Sequence, residues 1–443
     1  MRLLAQLQAR RLAATTTTQR ERIVPLLLGL VVFAASIWVP LSYDEAYWLS
    51  LTRRFGQGAR LYWTAVDHKT PIWLALVHLI DLMPGPFHLA RALLVVSIGV
   101  TCYLILRRHY QLSVGAALVV ASLLLVINHA VLTIELVGAL LLLTVVTNMR
   151  TRPVSSIVAA LAGSWLDIRL HLATALCFAF AGLDPRQRRV GVVAVLALGS
   201  SGLLILLWDE LRFGVLTFAA ASRSYAEFPT WAPFVLPLVA LAPLLPLVTP
   251  ESLRQHWLVI VAASTIPVVS IYPYLRYWAY PALLLGTTAR NTQPVRRLAL
   301  SALLLVLPAL IAYPIAWNDR TTFEQYRKAA DGVEKLLGPE GSFLPFDMNP
   351  HLAAMLPERT DIRSGNVMYA ATPTEREAVY RADLLELLDR TDSVITPVGQ
   401  LETRLAQPRL DDLRQEFADI VEDFECQRIV EHLAVYLRRC SSG

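Results

Sequence analysis

Long apolar runs bounded by arginines constrain this chain more than any other feature of its sequence. Many runs of about 15 to 22 apolar residues occur, and one α-helix needs about 20 to cross a hydrocarbon core. Of the 443 residues, 55% are hydrophobic and only 17% are charged, whereas about a quarter of a soluble protein is charged. The sequence therefore predicts an all-α polytopic membrane domain, and arginine in the short loops indicates topology rather than nucleic-acid binding.

The arginines also predict an orientation in the plasma (inner) membrane. Residues 1–22 hold five arginines and one glutamate, which suits a cytoplasmic tail. A cleaved signal peptide is the less favoured reading, because no small-residue cleavage site precedes Tyr43. We predict a transmembrane domain over 23–317, with a first external loop at 42–86 that contains an interfacial or re-entrant helix from Ile72 to Met83. The predicted spans are 23–41, 89–106, 112–127, 131–146, 154–166, 170–183, 190–207, 233–248, 257–271, 278–289 and 298–317.

The composition becomes charged after residue 317. Residues 318–443 are predicted to form a small extracytoplasmic α/β domain, of a length sufficient to fold alone. Its predicted helices are 322–337 and 375–388, and its predicted strands are 342–346, 393–396 and 429–437. Cys426 and Cys440 form either a disulfide or a pair of free thiols, and both readings stay open.

Ionisable residues beside the first span are the leading candidates for function. Asp44 and Glu45 follow that span directly, and Asp67, His68 and Lys69 precede the next apolar run. Because charged groups beside lipid are costly to keep, such a group is a functional hypothesis by default. The alternative for the adjacent carboxylates is a helix cap, and that for Lys69 is a side chain reaching lipid headgroups.

Other polar residues fall on the same predicted outer side and predict a cavity that opens there. Glu135 lies within an apolar run, where an unpaired carboxylate costs several kcal/mol, so it needs a partner, a proton or a wet cavity. Arg169 and Arg276 could instead anchor the chain at the membrane interface. The outer polar residues are Asp44, Glu45, Asp67, His68, Lys69, His129, Glu135, Asp167, Arg169, His171, Asp209, Arg212, Arg223, Tyr225, Arg276 and Tyr277.

The order of these motifs resembles that of a known family. A first span, then Asp44-Glu45 with a nearby tyrosine, then Asp67-His68-Lys69-Thr70-Pro71 before an apolar helix, is similar to the GT-C glycosyltransferases that use polyprenyl-phosphate sugars. The pattern resembles most the branch of protein O-mannosyltransferases and lipid A aminoarabinose transferases. The resemblance covers about residues 23–290 in layout and is sharp over 43–71. Arg169 stands where many members have lysine, which keeps the charge but changes the geometry.

The resemblance implies inverting transfer of a sugar from a polyprenyl phosphate to an acceptor hydroxyl on a glycolipid, a protein or a cell-envelope glycan. It implies neither metal nor other cofactor, and one carboxylate base suffices because phosphate is already a competent leaving group. Asp44 would be the base, with Glu45 orienting it or binding the acceptor. The implied phosphate-binding residues are Lys69, His68, Arg169 and Arg276. The implied substrate-binding residues are Tyr47, Asp67, Glu135, Tyr225 and Tyr277.

Two readings from other classes stay open. A transporter or flippase for lipid-linked sugars would explain ionisable residues within the membrane, although the chain shows no inverted repeat. A non-catalytic membrane scaffold that binds glycan is the other. Neither a Walker loop, a glycine-rich nucleotide fingerprint nor a metal-ligand spacing is present in the sequence.

Overall fold

The computed structural model describes residues 23–55, 70–212, 230–269, 274–289, 293–338, 341–345, 350–356, 391–398 and 424–439, with Arg359, Glu386 and Asp389. The predicted site residues Asp67, His68, Lys69 and Tyr225 lie outside these ranges, as do Arg223 and most of the predicted helix 375–388.

The chain bends sharply where the first predicted span ends. Helix α1 (Ile23–Trp38) and helix α2 (Tyr43–Phe55) meet at 75° across a break that contains Pro40. Proline restricts the residue before it and cannot donate a helix hydrogen bond, so the helix ends there. Helix α3 (Pro71–Asp81) begins at a proline and matches the predicted short helix of the external loop.

The described residues between 87 and 317 are mainly helical, and each predicted span overlaps at least one helix. Within the described ranges, three helical segments are long and apolar enough to cross a membrane, or four if the bent pair α1–α2 counts as one span. Other apolar helices are shorter, so the count of eleven spans stays a prediction. The helices are α4 (Phe87–Arg108), α5 (Val114–Ile127), α6 (Ile134–Asn148), α7 (Pro153–Leu166), α8 (Ile168–Ala181), α9 (Arg188–Leu207), α10 (Asp209–Arg212), α11 (Ala232–Leu241), α12 (Pro250–Val269), α13 (Ala279–Thr287), α14 (Val295–Leu304) and α15 (Val306–Leu337), with 3₁₀ turns at Ala242–Leu244 and Leu275–Trp278.

Glycine lets two central helices approach closely. A Cβ atom at Gly138 of α6 would lie 2.6 Å from the hydroxyl oxygen of Tyr280 on α13. Small residues commonly permit such contacts between membrane helices. The close packing of α6 on α13 matters for the site, because candidate site residues lie at the start of α6 and in the turn just before α13.

We expect Gly138→Ala to lower the free energy of unfolding by about 1–3 kcal/mol, because the methyl group must displace Tyr280 in a packed core. Thermal unfolding of the detergent-purified protein measures this effect. Gly199→Ala is the matched control, since a Cβ there meets nothing within 4 Å. An equal loss in both variants would contradict the close-packing explanation.

The last long helix continues without a break from the membrane helices into residues 318–443, which are called the outer domain after the prediction made for them. Helix α15 runs from Val306 to Leu337, so the predicted boundary after residue 317 lies inside it, and the predicted helix 322–337 is its second half. Gly338 ends the helix at a φ of 70°, a conformation that glycine adopts at little cost.

The outer domain carries a small sheet. Strands β1 (Leu344–Pro345), β2 (Ser393–Pro397), β3 (Cys426–Val430) and β4 (Leu433–Leu437) lie in the order β1-β2-β4-β3, and the β1–β2 pair is parallel. The prediction of one strand over 429–437 is wrong. This segment turns as a hairpin in which Val430 pairs with Leu433, and Glu431 takes a φ of 55° without a glycine to signal the turn. Cys426 is disulfide-bonded, whereas Cys102 and Cys177 are free and buried.

A short helix of the outer domain docks on α2. In this helix, α16 (His351–Met355), the Nε2 atom of His351 lies 3.0 Å from the carbonyl oxygen of Leu41, just before α2 begins. Arg53 of α2 donates to the carbonyl oxygen of Ala354, and Ala354 packs with Leu41 and with Ala46 and Leu49 of α2. The outer domain therefore contacts the helix that carries Asp44.

This contact predicts a pH-dependent stability. Burial lowers the pKa of His351 from 6.5 to about 4, so the unfolded state binds a proton that the folded state does not across this window. Stability should fall by about 3 kcal/mol as the pH drops from near 6.5 to near 4. Melting temperatures across this range measure the effect. In His351→Gln, which can still donate to Leu41, the dependence should shrink, and an unchanged dependence would assign the titration to another group.

Candidate active site

A capping box fixes the start of α2 and the position of Asp44. The Ser42 Oγ atom accepts a hydrogen bond from the Glu45 amide at 3.3 Å, and Glu45 Oε2 accepts one from the Ser42 amide at 3.0 Å. This reciprocal pair satisfies two amides at the helix start. Asp44 falls in the first turn between them, and its side chain is 38% exposed. The cap therefore involves Glu45, while the carboxylate of Asp44 stays accessible.

Glu45 is buried, and its carboxylate contacts several other groups of the protein instead of lining the pocket described below. Its side chain is 1% exposed and forms an ion pair of 2.7 Å with Arg91, which is fully buried. Arg91 also donates to the carbonyl oxygen of Val39 at 2.6 Å, while the other oxygen of Glu45 accepts from the Leu132 amide at 3.1 Å. Because both carboxylate oxygens are occupied and shielded, this geometry favours the first of the two roles expected for Glu45, orienting Asp44, over binding the acceptor.

Five side chains of alternating charge form a row of ion pairs that ends at a pocket. Asp167 pairs with Arg169 at 2.7 Å, and the same guanidinium nitrogen lies 2.8 Å from Glu135. Glu135 in turn lies 3.6 Å from the Nε atom of Arg276, and the Nη1 atom of Arg276 lies 2.5 Å from Asp44. The buried Glu135 therefore has the partners that its sequence position demanded. A buried carboxylate between two guanidinium groups holds both of them in place.

Tyrosines of the turn before α13 and of its first residues contact this row of ion pairs. The guanidinium carbon of Arg169 lies 4.1 Å from the ring centre of Tyr277, and that of Arg276 lies 4.7 Å from the ring centre of Tyr274. The Tyr280 hydroxyl donates to Asp167 at 3.0 Å. Cations stack favourably on aromatic faces, so these rings fix the planes of both arginines. Tyr277 is buried beneath Arg169, where it supports a cation.

The pocket has a volume of about 360 Å³ and lies between the start of α2, the α5–α6 loop, α11, the 3₁₀ turn before α13, and α15. Of the predicted site residues that the structure describes, Asp44 and Arg276 line it. Glu135, Arg169 and Tyr277 are not among its lining residues, although Glu135 contacts both Arg169 and the pocket residue Arg276. Tyr47 is half-buried and packs against the main core. The pocket also contains residues that the sequence did not single out as site residues: His129, Trp231, Tyr274 and Asp319.

His129 lies on a loop with unusual backbone geometry. His129 and Ala130 have φ values of 56° and 54°, which residues other than glycine seldom adopt and which cluster at functional sites. Burial and the nearby positive charge of Arg276 lower the pKa of His129 to about 4. The ring is therefore neutral at physiological pH and cannot act there as a cation for phosphate.

An apolar groove adjoins the pocket. It has a volume of about 460 Å³ and runs between α1, α5 and α15, where residues such as Val32, Leu125 and Ala312 line it. His129 lines both the groove and the charged pocket, so the two spaces are neighbours. Within the described part of the chain, no group of three or more His, Cys, Asp or Glu residues is arranged to hold a metal ion.

Comparison with known proteins identifies the fold. No protein-family model matches the chain, and no curated protein matches it either. Among solved structures, ArnT from Cupriavidus metallidurans in the apo state aligns with a TM-score of 0.56 and 13% sequence identity over 96% of this chain and 99% of that chain. The chain has a GT-C fold. The GT-C fold predicted from the Asp44 region is thereby confirmed.

A second, larger solved structure that aligns with the chain is the arabinofuranosyltransferase AftD from Mycobacteria. That match has a TM-score of 0.45 and 13% identity over 85% of this chain and 35% of that chain.

Proposed function

We propose that this protein is an integral-membrane inverting glycosyltransferase, which moves a sugar from a polyprenyl-phosphate donor to a hydroxyl of a glycolipid, protein or cell-envelope glycan on the extracytoplasmic side. The observation that carries the proposal is the Asp44–Arg276 pair, at 2.5 Å, in a pocket beside an apolar groove. A polyprenyl-phosphate sugar has matching parts: an isoprenoid tail for the groove, a phosphate for the cation, and a reacting carbon near the carboxylate.

Arg276 is the proposed phosphate contact. Its guanidinium group lines the pocket and is held by Glu135, Asp44 and Tyr274, so it is oriented before substrate arrives. A preorganised donor aimed at developing charge contributes about 3–4 kcal/mol to transition-state stabilisation. Arg169 is shared between Asp167 and Glu135 and does not line the pocket, so we assign it to positioning. Lys69 and His68 remain proposed phosphate contacts from the sequence.

Asp44 is the proposed general base. In the structure its carboxylate is paired with Arg276, and an adjacent positive charge weakens a carboxylate as a base. A donor phosphate would compete for the same guanidinium group and release Asp44 beside the sugar. The base would thereby gain strength only when the donor is bound.

The proposed step is a single displacement. The acceptor oxygen gives its proton to Asp44 and forms a bond to the anomeric carbon from the face opposite the phosphate. The bond from that carbon to the phosphate oxygen breaks, and the phosphate departs with the electron pair beside Arg276. The configuration at the anomeric carbon inverts. Asp67 and Tyr225 remain proposed substrate contacts, whereas Glu135 and Tyr277 act through the arginines they support.

Reconstitution with defined donors tests the proposal. The purified full-length protein, in proteoliposomes, would receive radiolabelled undecaprenyl-phosphate mannose, glucose, galactose or arabinose together with envelope glycolipid, protein or glycan fractions. We expect release of undecaprenyl phosphate with label on one acceptor fraction. Movement of intact donor across the bilayer without release would instead support a flippase, and binding without either event would support a scaffold.

A further inference from the structure

Asp319 is a carboxylate of the pocket that does not belong to the row of ion pairs from Asp167 to Asp44. It lies on α15 and is 9% exposed, with Ile311 and Ile315 two turns and one turn before it on the same pocket-facing side. The pocket residues contributed by α11 and by the residue before it are Trp231, Ala232 and Leu236. Among the described residues of these two helices, Asp319 is therefore the ionisable group that faces the pocket.

The hydrogen bonding of Asp319 is incomplete. The amide of Tyr43 lies 3.4 Å from its Oδ1 atom, which is longer than the usual 2.7–3.2 Å of such bonds. A carboxylate offers two oxygens and about four lone-pair sites, and a buried one is costly without donors. Tyr43 is the one hydrogen-bond donor to Asp319 within the described ranges. Glu45 and Glu135, by contrast, are both paired with arginine.

We propose that Asp319 is a substrate-binding residue whose carboxylate accepts a hydrogen bond from a sugar hydroxyl in the pocket. The substrate class rests on the proposed function, while the accepting capacity comes from burial and from the weak contact to Tyr43. Because Tyr43 precedes Asp44, that hydroxyl lies beside the proposed base. It belongs either to the sugar of the donor or to a sugar of the acceptor.

A cycle of protein and substrate changes tests this role without requiring turnover. The donor probes are non-transferable undecaprenyl phosphonate analogues of mannose, glucose, galactose and arabinose, each with its single-deoxy analogues. The acceptor probes are methyl glycosides of the same sugars and their deoxy forms, added with saturating phosphonate. Equilibrium binding to the wild type, to Asp319→Leu and to the control Asp331→Leu would be compared. Asp331 is exposed on the same helix.

Burial raises the pKa of Asp319 to about 7, so binding is compared at pH 8, where this carboxyl is ionised. We expect one deoxy analogue to bind the wild type and the control about ten- to a hundredfold more weakly than its parent, as for a lost hydrogen bond to a charged group. In Asp319→Leu the parent and this analogue should bind equally, which a merely structural role would not produce. The probe series that shows this pattern identifies the donor or the acceptor as the source.

The same deoxy penalties in Asp319→Leu and wild type would overturn the proposal. If the deoxy penalty disappears in Asp319→Leu but no sugar is transferred in the proteoliposomes, Asp319 keeps its sugar-binding role and the proposed transferase function is wrong. A wild-type protein that binds none of these probes would overturn both.

Discussion

Asp44→Asn is expected to reduce sugar transfer by at least about a hundredfold, in line with the loss of a general base. An amide cannot take the proton of the acceptor hydroxyl, yet it fits the same volume at a side chain that is 38% exposed. The fold should therefore persist, because Glu45 and Ser42 rather than Asp44 cap the helix. Initial rates of label transfer in proteoliposomes measure the effect.

The same variant separates chemistry from binding. Removing the negative charge frees Arg276 for the donor phosphate, so the affinity for a phosphonate donor analogue should be kept or increased while transfer collapses. Asp209→Asn is the matched control, because Asp209 forms an exposed pair with Arg212 and such pairs contribute little. Near-normal turnover of Asp44→Asn would remove Asp44 from the role of base.

Arg276→Gln is the second change with a large expected effect. It removes the guanidinium group that the structure fixes between Glu135 and Asp44, and loss of one preorganised donor lowers kcat by about a hundred- to a thousandfold. Donor affinity should also fall, while acceptor KM should change little. Steady-state kinetics with donor and acceptor varied separately measure this split.

Two further variants make the Arg276 result interpretable. Arg276→Lys keeps the charge but loses the planar fork, so its activity should lie between those of the wild type and the glutamine variant. Arg212→Gln removes an exposed arginine and should leave the kinetics unchanged. Glu135 also pairs with Arg169 at 2.8 Å, so the loss of Arg276 should not leave it without a cation, which limits the expected loss of stability. A glutamine variant with altered acceptor KM alone would contradict a phosphate role.

Local sequence patterns were sufficient to predict much of the secondary structure of this molecule. Apolar runs of helical length predicted where the membrane helices lie, because backbone groups in lipid must be satisfied within a helix. Ser42-x-x-Glu45 also has the spacing of a capping box, so the assignment of Glu45 to the helix start was contained in the sequence. The hairpin at Glu431 could not be predicted from the sequence, because its residue with a left-handed backbone conformation is not a glycine.

Long-range contacts could not be predicted in the same way. Tyr43 and Asp319 are 276 positions apart, and no periodicity or spacing links them. Glu135, Arg169 and Arg276 were each recognised as unusual, yet the sequence left open whether they faced substrate, lipid or each other. The structure pairs them, and of the two arginines it places Arg276 in the lining of the pocket.

The sequence by itself determined the long apolar helices and the position of Asp44 directly after the first of them, because hydrophobic length and a local motif express themselves within one helix or loop, and the order of its motifs resembled that of the GT-C family. Only the tertiary structure decided which charges neutralise each other. Ion pairs such as Arg91–Glu45 form between segments that the chain brings together on folding, and burial makes an unpaired member costly. Asp44 remains accessible, Glu45 is enclosed, and Asp319 joins the pocket for that reason.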